Sequence, residues 1–309
     1  MLSAKEKGLS EKKLLLITVI LVAIIVIPVI ALLVIKVPGL KLPGIEKVAV
    51  IKVTGVLTFE EYSLLGSTIS ARDYIELIKQ AKDDPTIKAV VLRVDSPGGD
   101  AAGSEALYYA VKELAEEKTV VAYIEGLGAS GAYEMILPSH YVMAGESSIV
   151  GAVGVYSTVI TMKELMEKLG VKVYVYKSGK LKDLGSPYRE PTEEDEKVLR
   201  EIVEDMFETF KSRVLEHRGE VSDEVFTGRP FTAKRALEAG LIDQIGTLED
   251  AIKKAKELSG LPEDAPVEEL EPTPPSLFPL FGGATWGIRV VPGYQVLAIW
   301  PPPTVIIHS

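Results

Sequence analysis

The central part of the chain, from about 47 to 260, alternates short apolar runs with longer amphipathic stretches. Continuous apolar runs are typical of strands covered on both faces, and they predict five strands, at 49–54, 89–94, 120–124, 141–143 and 171–176. The other stretches predict helices at 71–82, 104–116, 131–137, 161–169, 192–216, 233–239 and 248–258. This alternation predicts one α/β domain, at 47–260, with a mostly parallel sheet and flanking helices.

An uncharged run at 14–35 precedes the domain and contains only Thr18 and Pro28 as interruptions. As a helix, its 22 residues would be about 33 Å long, enough to cross a hydrocarbon layer of about 30 Å. We therefore expect a single transmembrane helix, with a cleaved signal peptide as the alternative. Lysines are more numerous before the run than after it, so we expect residues 1–13 in the cytoplasm and the domain outside the cell membrane.

Two further segments differ from the domain in composition. Residues 36–46 contain two Pro-Gly pairs and are interpreted as a linker. Residues 261–309 begin with an acidic stretch and continue as a proline-rich apolar tail, whose pieces are too short to cross a bilayer. The tail has four interpretations: packing on its own domain, docking on a neighbouring subunit, lying on the membrane, or disorder.

Composition removes several classes of function. The 309 residues carry 34 Lys+Arg against 44 Asp+Glu, a formal net charge of −10, so no nucleic-acid partner is expected. Cysteine is absent, which excludes disulfides, thiolate nucleophiles and cysteine-ligated metals. The three histidines, His140, His217 and His308, lack metal-ligand spacing, and we expect them at the surface rather than in a catalytic triad. Neither a metal nor another cofactor is expected.

A serine can instead be activated by a lysine, if burial leaves the lysine amine neutral. Ser130 lies in Gly-Leu-Gly-Ala-Ser-Gly-Ala-Tyr, between a predicted strand and a predicted helix. A serine there occupies a tight turn, and the N–H groups that follow it at the helix N-terminus can bind an oxyanion. Taken alone, the segment is better explained as an ordinary glycine-rich strand-to-helix turn.

Two other segments bear on the same chemistry. Residues 95–100, Asp-Ser-Pro-Gly-Gly-Asp, form a second predicted strand-to-helix turn whose N–H groups could bind an anion. Residues 177–187, Lys-Ser-Gly-Lys-Leu-Lys-Asp-Leu-Gly-Ser-Pro, contain three lysines within six positions. A solvated basic loop is the alternative interpretation of that second segment.

In this order, the three segments resemble the signal peptide peptidase A family, which consists of membrane-anchored Ser/Lys proteases with a ClpP/crotonase-like fold. The resemblance covers about 48–258 and ends with Gly-Arg at 228–229 and Ala-x-x-x-Gly-Leu-Ile-Asp at 236–243. Each motif is weak alone, and their joint occurrence is specific. The family also has long members with two tandem domains, and this chain resembles the short, single-domain members.

The resemblance implies a role for several residues. Ser130 is the expected nucleophile and Lys182 the expected general base, whereas Lys177 and Lys180 fall at non-catalytic positions. The backbone N–H groups of Gly99 and Gly131 are the expected oxyanion donors.

One departure from the family pattern affects the lysine. Family members often have a serine that can hydrogen-bond the catalytic lysine where this chain has Ala152. Ser186, Ser157 or a water are the candidates to orient Lys182 in its place. The resemblance also implies a ring-shaped homo-oligomer in which serine and lysine meet across subunits.

The expected function is hydrolysis of remnant signal peptides, and of other unfolded peptides, through an acyl-enzyme. One alternative is a membrane protease of the stomatin-operon type that cuts a defined membrane-protein tail. A non-proteolytic crotonase-like enzyme acting on acyl-CoA is an alternative of another class, and an inactive membrane scaffold is a third.

Overall fold

Parallel strands form the centre of the fold in the computed structural model, which describes residues 44–59 and 70–271, the backbone of 295–299, and Val22 and Ile24. Strands are numbered in chain order: β1 Lys47–Thr54, β2 Ile87–Ser96, β3 Gly98–Asp100, β4 Thr119–Ala129, β5 Tyr141–Ala144, β6 Ile149–Gly151, β7 Tyr156–Thr158, β8 Pro230–Thr232, β9 Gln244–Ile245, β10 Val267–Leu270 and β11 Gln295–Ile299. The main sheet has the order β10-β1-β2-β4-β5-β9, and every neighbouring pair on this path is parallel. The short strand β6 pairs in parallel with β4 and antiparallel with β8.

Seven α-helices within the described residues connect and cover these strands. They are α1 Ala71–Asp83, α2 Ala101–Glu117, α3 Gly131–Ile136, α4 Lys163–Lys168, α5 Glu193–Arg218, α6 Ala233–Glu238 and α7 Leu248–Ser259. Helix α5 begins with a capping box, in which Thr192 and Asp195 satisfy each other's backbone N–H groups. A 3₁₀ helix, Asp223–Thr227, follows α5.

The sheet separates two apolar clusters, because alternate side chains of a strand point to opposite faces. On one face, Ile51 and Val53 pack with residues of α1, α2, α3, α5 and α6. On the other face, Val48 and Val50 pack with Ala251 and Ala255 of α7. The expected α/β fold with a mostly parallel sheet and flanking helices is therefore confirmed.

The strand predicted at 171–176 is wrong. These residues form no strand, and their apolar side chains are exposed, Tyr176 by 94%. Local β-propensity identified a segment that has no neighbouring strand within the described residues to pair with. The domain also extends past its predicted end at 260, because β10 lies in the acidic stretch and pairs with β1.

A second, three-stranded antiparallel sheet has the order β3-β11-β7. It places backbone from the C-terminal tail between two strands of the domain. The rest of the tail after 271 lies outside the described residues, so its other predicted contacts stay predictions.

The predicted membrane span at 14–35 also lies outside the described residues, apart from two helical positions, Val22 and Ile24. Among the helices that the structure describes, none has both the length and the apolar character that a bilayer crossing requires.

Candidate active site

Ser130 occupies a strained turn between β4 and α3. Its backbone angles are φ 53° and ψ −125°, a conformation that costs an L-residue on the order of 1–3 kcal/mol. Ala152 is the one other described non-glycine residue with a positive φ. It directly follows Gly151, whose carbonyl accepts a 2.7 Å hydrogen bond from the Ser130 N–H. Strain is thus concentrated where the sequence predicted the nucleophile.

The hydrogen bonds around Ser130 leave its reactive groups nearly free. The Ser130 carbonyl accepts from Glu134 N–H at 3.0 Å, whereas its hydroxyl makes only a long contact, 3.5 Å, to the Gly154 carbonyl among the described residues. The Gly131 N–H, at the start of α3, has no hydrogen-bond acceptor in the part of the chain that the structure describes. An N–H in this position can bind an oxyanion that forms on a Ser130 adduct.

The second turn is held rigidly beside the first. Ser96 is opposite Gly128 in the β2–β4 pairing, so that the two turns follow neighbouring strands at the same edge of the sheet. The buried Ser96 hydroxyl donates to the Gly55 carbonyl at 2.6 Å and accepts from Gly98 N–H at 3.2 Å. The two predicted oxyanion donors, Gly99 and Gly131, therefore lie at one end of one sheet.

Only glycine fits at position 99. A Cβ there would lie 1.8 Å from the Leu57 carbonyl oxygen. On one side of β3, the Leu57 N–H donates to the Gly98 carbonyl and the Leu57 carbonyl accepts from the Asp100 N–H. Because backbone groups alternate in direction along a strand, the N–H and carbonyl of Gly99 point to the other side of β3, toward β11. The predicted donor at Gly99 thus faces the strand that the C-terminal tail contributes.

Lys182 lies in the segment 160–190, which we call the lysine arm. Within the arm, Lys177 pairs with Asp183 at 2.6 Å, and Lys180 pairs with Glu194. Lys182 is exposed, and its ammonium makes no hydrogen bond or ion pair with any described residue, Ser130 included. Of the three lysines, the one expected as the base is the one with a free ammonium, and the structure does not bring it to the serine of its own chain.

The arm is fixed to α5 by a charged cluster that the sequence analysis missed. Arg189 donates to the carboxylates of both Asp183 and Asp195, the latter being the capping residue of α5. Its guanidinium holds the pKa of both carboxyls well below their usual range. The capping box was visible in the sequence, but an arginine six positions from each aspartate gave no signal of its own.

At its other end α5 is fixed behind Ser130. Arg213, on α5, donates to Glu134 of α3 at 2.6 Å and to Glu105 of α2 at 2.5 Å. Burial raises the pKa of the Glu134 carboxyl, against the opposing effect of Arg213. Asp195 and Arg213 are 18 positions apart, about 27 Å along an α-helix. The arm's anchor is therefore far along α5 from the part that supports the nucleophile.

The remaining predicted residues fall in different places. Ser157, on β7, has a buried hydroxyl without a partner among the described residues, so it is free to bind an amine. Ser186 is in the arm, where its hydroxyl accepts from Tyr188 N–H at 3.3 Å. Ala152 lies beside the turn at Ser130, because the preceding residue, Gly151, accepts the hydrogen bond from the Ser130 N–H.

The two described histidines have structural contacts. His140 accepts from Val120 N–H at 3.1 Å, and His217 contacts the Tyr108 hydroxyl at 2.9 Å. Neither hydrogen-bonds Ser130, and His308 lies outside the described residues. His140 is exposed as expected, whereas His217 is partly buried, and this burial lowers its pKa.

A serine on a strained turn, with free N–H groups at its helix, has the layout of an acyl-transfer site. The model of peptidase family S49 matches residues 112–262 of this chain. "Putative protease slr0021" of Synechocystis is 33% identical over 241 residues, which cover 77% of this chain and 83% of that protein. The chain belongs to peptidase family S49.

Other relatives agree with this assignment. "Putative protease MJ0651" of Methanocaldococcus jannaschii is 40% identical over 201 residues, covering 64% of this chain and 65% of that protein. "Putative signal peptide peptidase SppA" of Enterococcus faecium is 33% identical over 225 residues, covering 69% of this chain and 64% of that protein. The chain thus spans just under two thirds of the length of these two relatives. The resemblance inferred from the motifs is confirmed.

Proposed function

We propose that this chain is a membrane-anchored serine endopeptidase that hydrolyses remnant signal peptides, and other unfolded peptides, with Ser130 as nucleophile and Lys182 as general base. The observation that carries the proposal is the strained Ser130 turn, with its nearly unbonded hydroxyl and the free Gly131 N–H. Membership of a peptidase family supports hydrolysis of peptide bonds rather than chemistry on acyl-CoA.

The residues divide the reaction between them. The Lys182 amine takes the proton of the Ser130 hydroxyl while the serine oxygen attacks the peptide carbonyl carbon. The carbonyl oxygen becomes an oxyanion that the N–H groups of Gly131 and Gly99 stabilise. The C–N bond then breaks, and the leaving amine takes the proton from the Lys182 ammonium. A water molecule repeats the sequence on the acyl-enzyme and releases the second product.

Two observations support a site shared between neighbouring copies of the chain. The Lys182 ammonium is free, and its arm is anchored about 27 Å along α5 from Arg213. The arm also exposes large apolar side chains, among them Leu169, Tyr174 and Tyr176. Several exposed large apolar side chains in one segment support a protein partner, and a ring supplies the same pair of surfaces at every interface. The arm of one copy would then deliver Lys182 to Ser130 of the next.

The substrate class and the membrane anchor rest on further features. The edge of β3, beside Gly99, pairs with an extended strand, which suits an unfolded peptide bound through its main chain. The name of the Enterococcus faecium relative supports signal peptides as substrates. The uncharged run at 14–35 supports a single-pass anchor with the catalytic domain on the extracytoplasmic side.

A fluorophosphonate probe and a peptidase assay on the full chain in detergent test the catalytic assignment. We expect labelling at Ser130, and a loss of at least about 10³-fold in kcat for Ser130→Ala and for Lys182→Ala. Lys180→Ala is the matched control, because Lys180 is on the same arm but pairs with Glu194. Substantial activity in Ser130→Ala would contradict the proposal, and an inactive Lys180→Ala beside an active Lys182→Ala would reassign the base.

Substrate class and topology need separate measurements. We expect synthetic signal peptides to be cleaved faster than folded proteins, and an acyl-CoA thioester to be left intact. In inside-out and right-side-out membrane vesicles, an added protease should reach the domain only where the extracytoplasmic face is exposed. Digestion from the cytoplasmic face would contradict the proposed orientation.

A further inference from the structure

Arg189 binds the carboxylates of Asp183 and Asp195, an arrangement that we call the clamp. Asp183 is the residue directly after Lys182, the expected base. We propose that Arg189 is a positioning residue for Lys182, because it ties the backbone that carries the lysine to the first turn of α5. This inference rests on the proposed function, since it assigns Arg189 a part in the same reaction.

The arginine binds Asp183 with one edge of its guanidinium, which carries Nε and Nη2. Nε donates to Oδ2 at 3.0 Å and Nη2 donates to Oδ1 at 2.8 Å, and Nη2 also reaches the Asp183 carbonyl at 3.3 Å. A bidentate arginine fixes direction as well as distance, which a single ammonium cannot do. Asp183 is the residue after Lys182, so this contact fixes the lysine's own peptide segment.

The other end of the clamp is a buried and hydrogen-bonded part of the fold. Arg189 donates to both oxygens of Asp195, whose side chain is only 2% exposed. Asp195 also accepts from Thr192 N–H at 2.8 Å and from the Thr192 hydroxyl at 2.9 Å. Arg189 thus joins the half-exposed loop that carries Lys182 to the capping box at the start of α5.

No other described contact replaces this connection. Lys177 also binds Asp183, but its second partner is the Lys180 carbonyl, which belongs to the same loop. The Lys180–Glu194 pair reaches α5 through two exposed side chains, and such pairs hold geometry weakly. Removal of Arg189 should therefore let Lys182 move relative to α5 while the loop keeps its internal bonds. A displacement of about 1 Å in a reacting group can cost about 10²-fold in rate.

Steady-state kinetics of Arg189→Gln in the assembled full chain test this inference. We expect kcat to fall by about 10²-fold while KM changes by less than about threefold, because the proposal has Arg189 act on the position of Lys182 and not on the peptide. Arg189→Lys should not restore the rate, since a single ammonium cannot reproduce the planar, bidentate geometry of the guanidinium. Arg93→Gln is the matched control: Arg93 forms a similar bidentate pair with Glu125 at similar exposure, and kcat should stay unchanged.

A double-mutant cycle keeps the test decisive if Arg189→Gln assembles poorly. Asp183→Asn alone should lower kcat, and the Arg189→Gln/Asp183→Asn double variant should be no slower than Arg189→Gln. Additive losses, or a normal kcat per assembled site in Arg189→Gln, would overturn the inference and leave the proposed function intact. A wild-type chain without Ser130- and Lys182-dependent hydrolysis would overturn both.

Discussion

The turn around Ser130 and the arm around Lys182 are held in place by different forces. Ser130 is 2% exposed, follows a central strand and is fixed by backbone hydrogen bonds at 2.7 and 3.0 Å. The lysine arm has one short helix, α4, without a buried residue, and its fixed point is a cluster of charged side chains. Ser130, the proposed nucleophile, thus lies in the core, where packing determines its geometry.

Because of this difference, the Ser130 turn and the lysine arm would depend on assembly to different degrees. A core turn keeps its shape in an isolated subunit, because its contacts are complete within one chain. An arm with exposed apolar side chains gains most of its buried area only when another surface covers it. Under the proposed shared site, the serine half would therefore be complete in one chain, and the lysine half would depend on a neighbour.

Mixing two inactive variants gives the largest expected effect. Ser130→Ala and Lys182→Ala chains are dissociated, combined in equal amounts and reassembled. If each site takes its serine and its lysine from different copies, about a quarter of the sites are intact in a random ring. Peptidase activity should rise from background to about that fraction. Continued inactivity, in assemblies that mass measurement shows to be mixed, would place both residues in the same subunit.

A charge on the arm should separate assembly from folding. Tyr176→Glu places a carboxylate on a side chain that is exposed in the single chain, so we expect little change in thermal stability but weaker assembly and about tenfold lower activity at equal concentration. Leu258→Glu, at an exposed position on α7, is the control and should assemble normally. Equal behaviour of the two variants would mean that the arm is not the contact surface.

Removing the tail should have a smaller effect. Strand β11 pairs with Gly98–Asp100, so it competes with any peptide that binds along the same edge. Truncation after Glu271 should raise kcat/KM for short peptides about fivefold, because the edge no longer has an internal occupant. A chain that ends at 299 keeps β11 and should show no increase. Lower thermal stability without any increase in activity would instead assign β11 a structural role.

Acid should weaken the arm slightly more than the core. Because Arg189 lowers the pKa of Asp183 and Asp195 in the folded chain, their stabilising contribution is complete above the unfolded aspartate pKa of about 3.9. It is lost as pH falls below about 4, toward the lower folded pKa values. The thermal midpoint of the wild type should therefore fall more steeply below pH 4 than that of Arg189→Gln. Identical slopes would mean that the clamp contributes nothing measurable to stability.

The fold was predictable where sequence carries local information. Four of the predicted strands are buried on both faces, so their apolar runs are continuous, and Thr192 starts α5 as its capping pattern indicated. Strands β3, β6 and β7 have three residues each and depend on distant partners, which no short pattern encodes. The strand predicted wrongly at 171–176 shows the converse: its residues have high β-propensity, but propensity does not supply a neighbouring strand to pair with.

The candidate site also has residues that the sequence indicated and contacts that it could not indicate. The motifs of the family resemblance gave Ser130, Gly99 and Gly131 as predictions, since each glycine-rich turn taken alone fits an ordinary turn. At Gly99 the close approach of the Leu57 backbone explains why the motif requires glycine. Arg189 and the Glu134–Arg213 pair were not predictable, because each joins elements whose relative placement appears only in three dimensions. The free ammonium of Lys182 was likewise invisible, since ion pairing of its two neighbours depends on the folded loop.

The length of helix α5 has a consequence for the spacing between neighbouring copies in the proposed ring. Between Asp195 and Phe207 none of its residues packs against the apolar clusters, so the fold of the domain imposes little constraint on the length of this stretch. Inserting four residues would move the arm outward by about 6 Å and rotate it by about 40° around the helix axis, while leaving the core contacts of Phe210, Arg213 and Val214 in place. The span between those two anchors would therefore set how far apart neighbouring copies stand, and chains with different spans would be unable to share a ring.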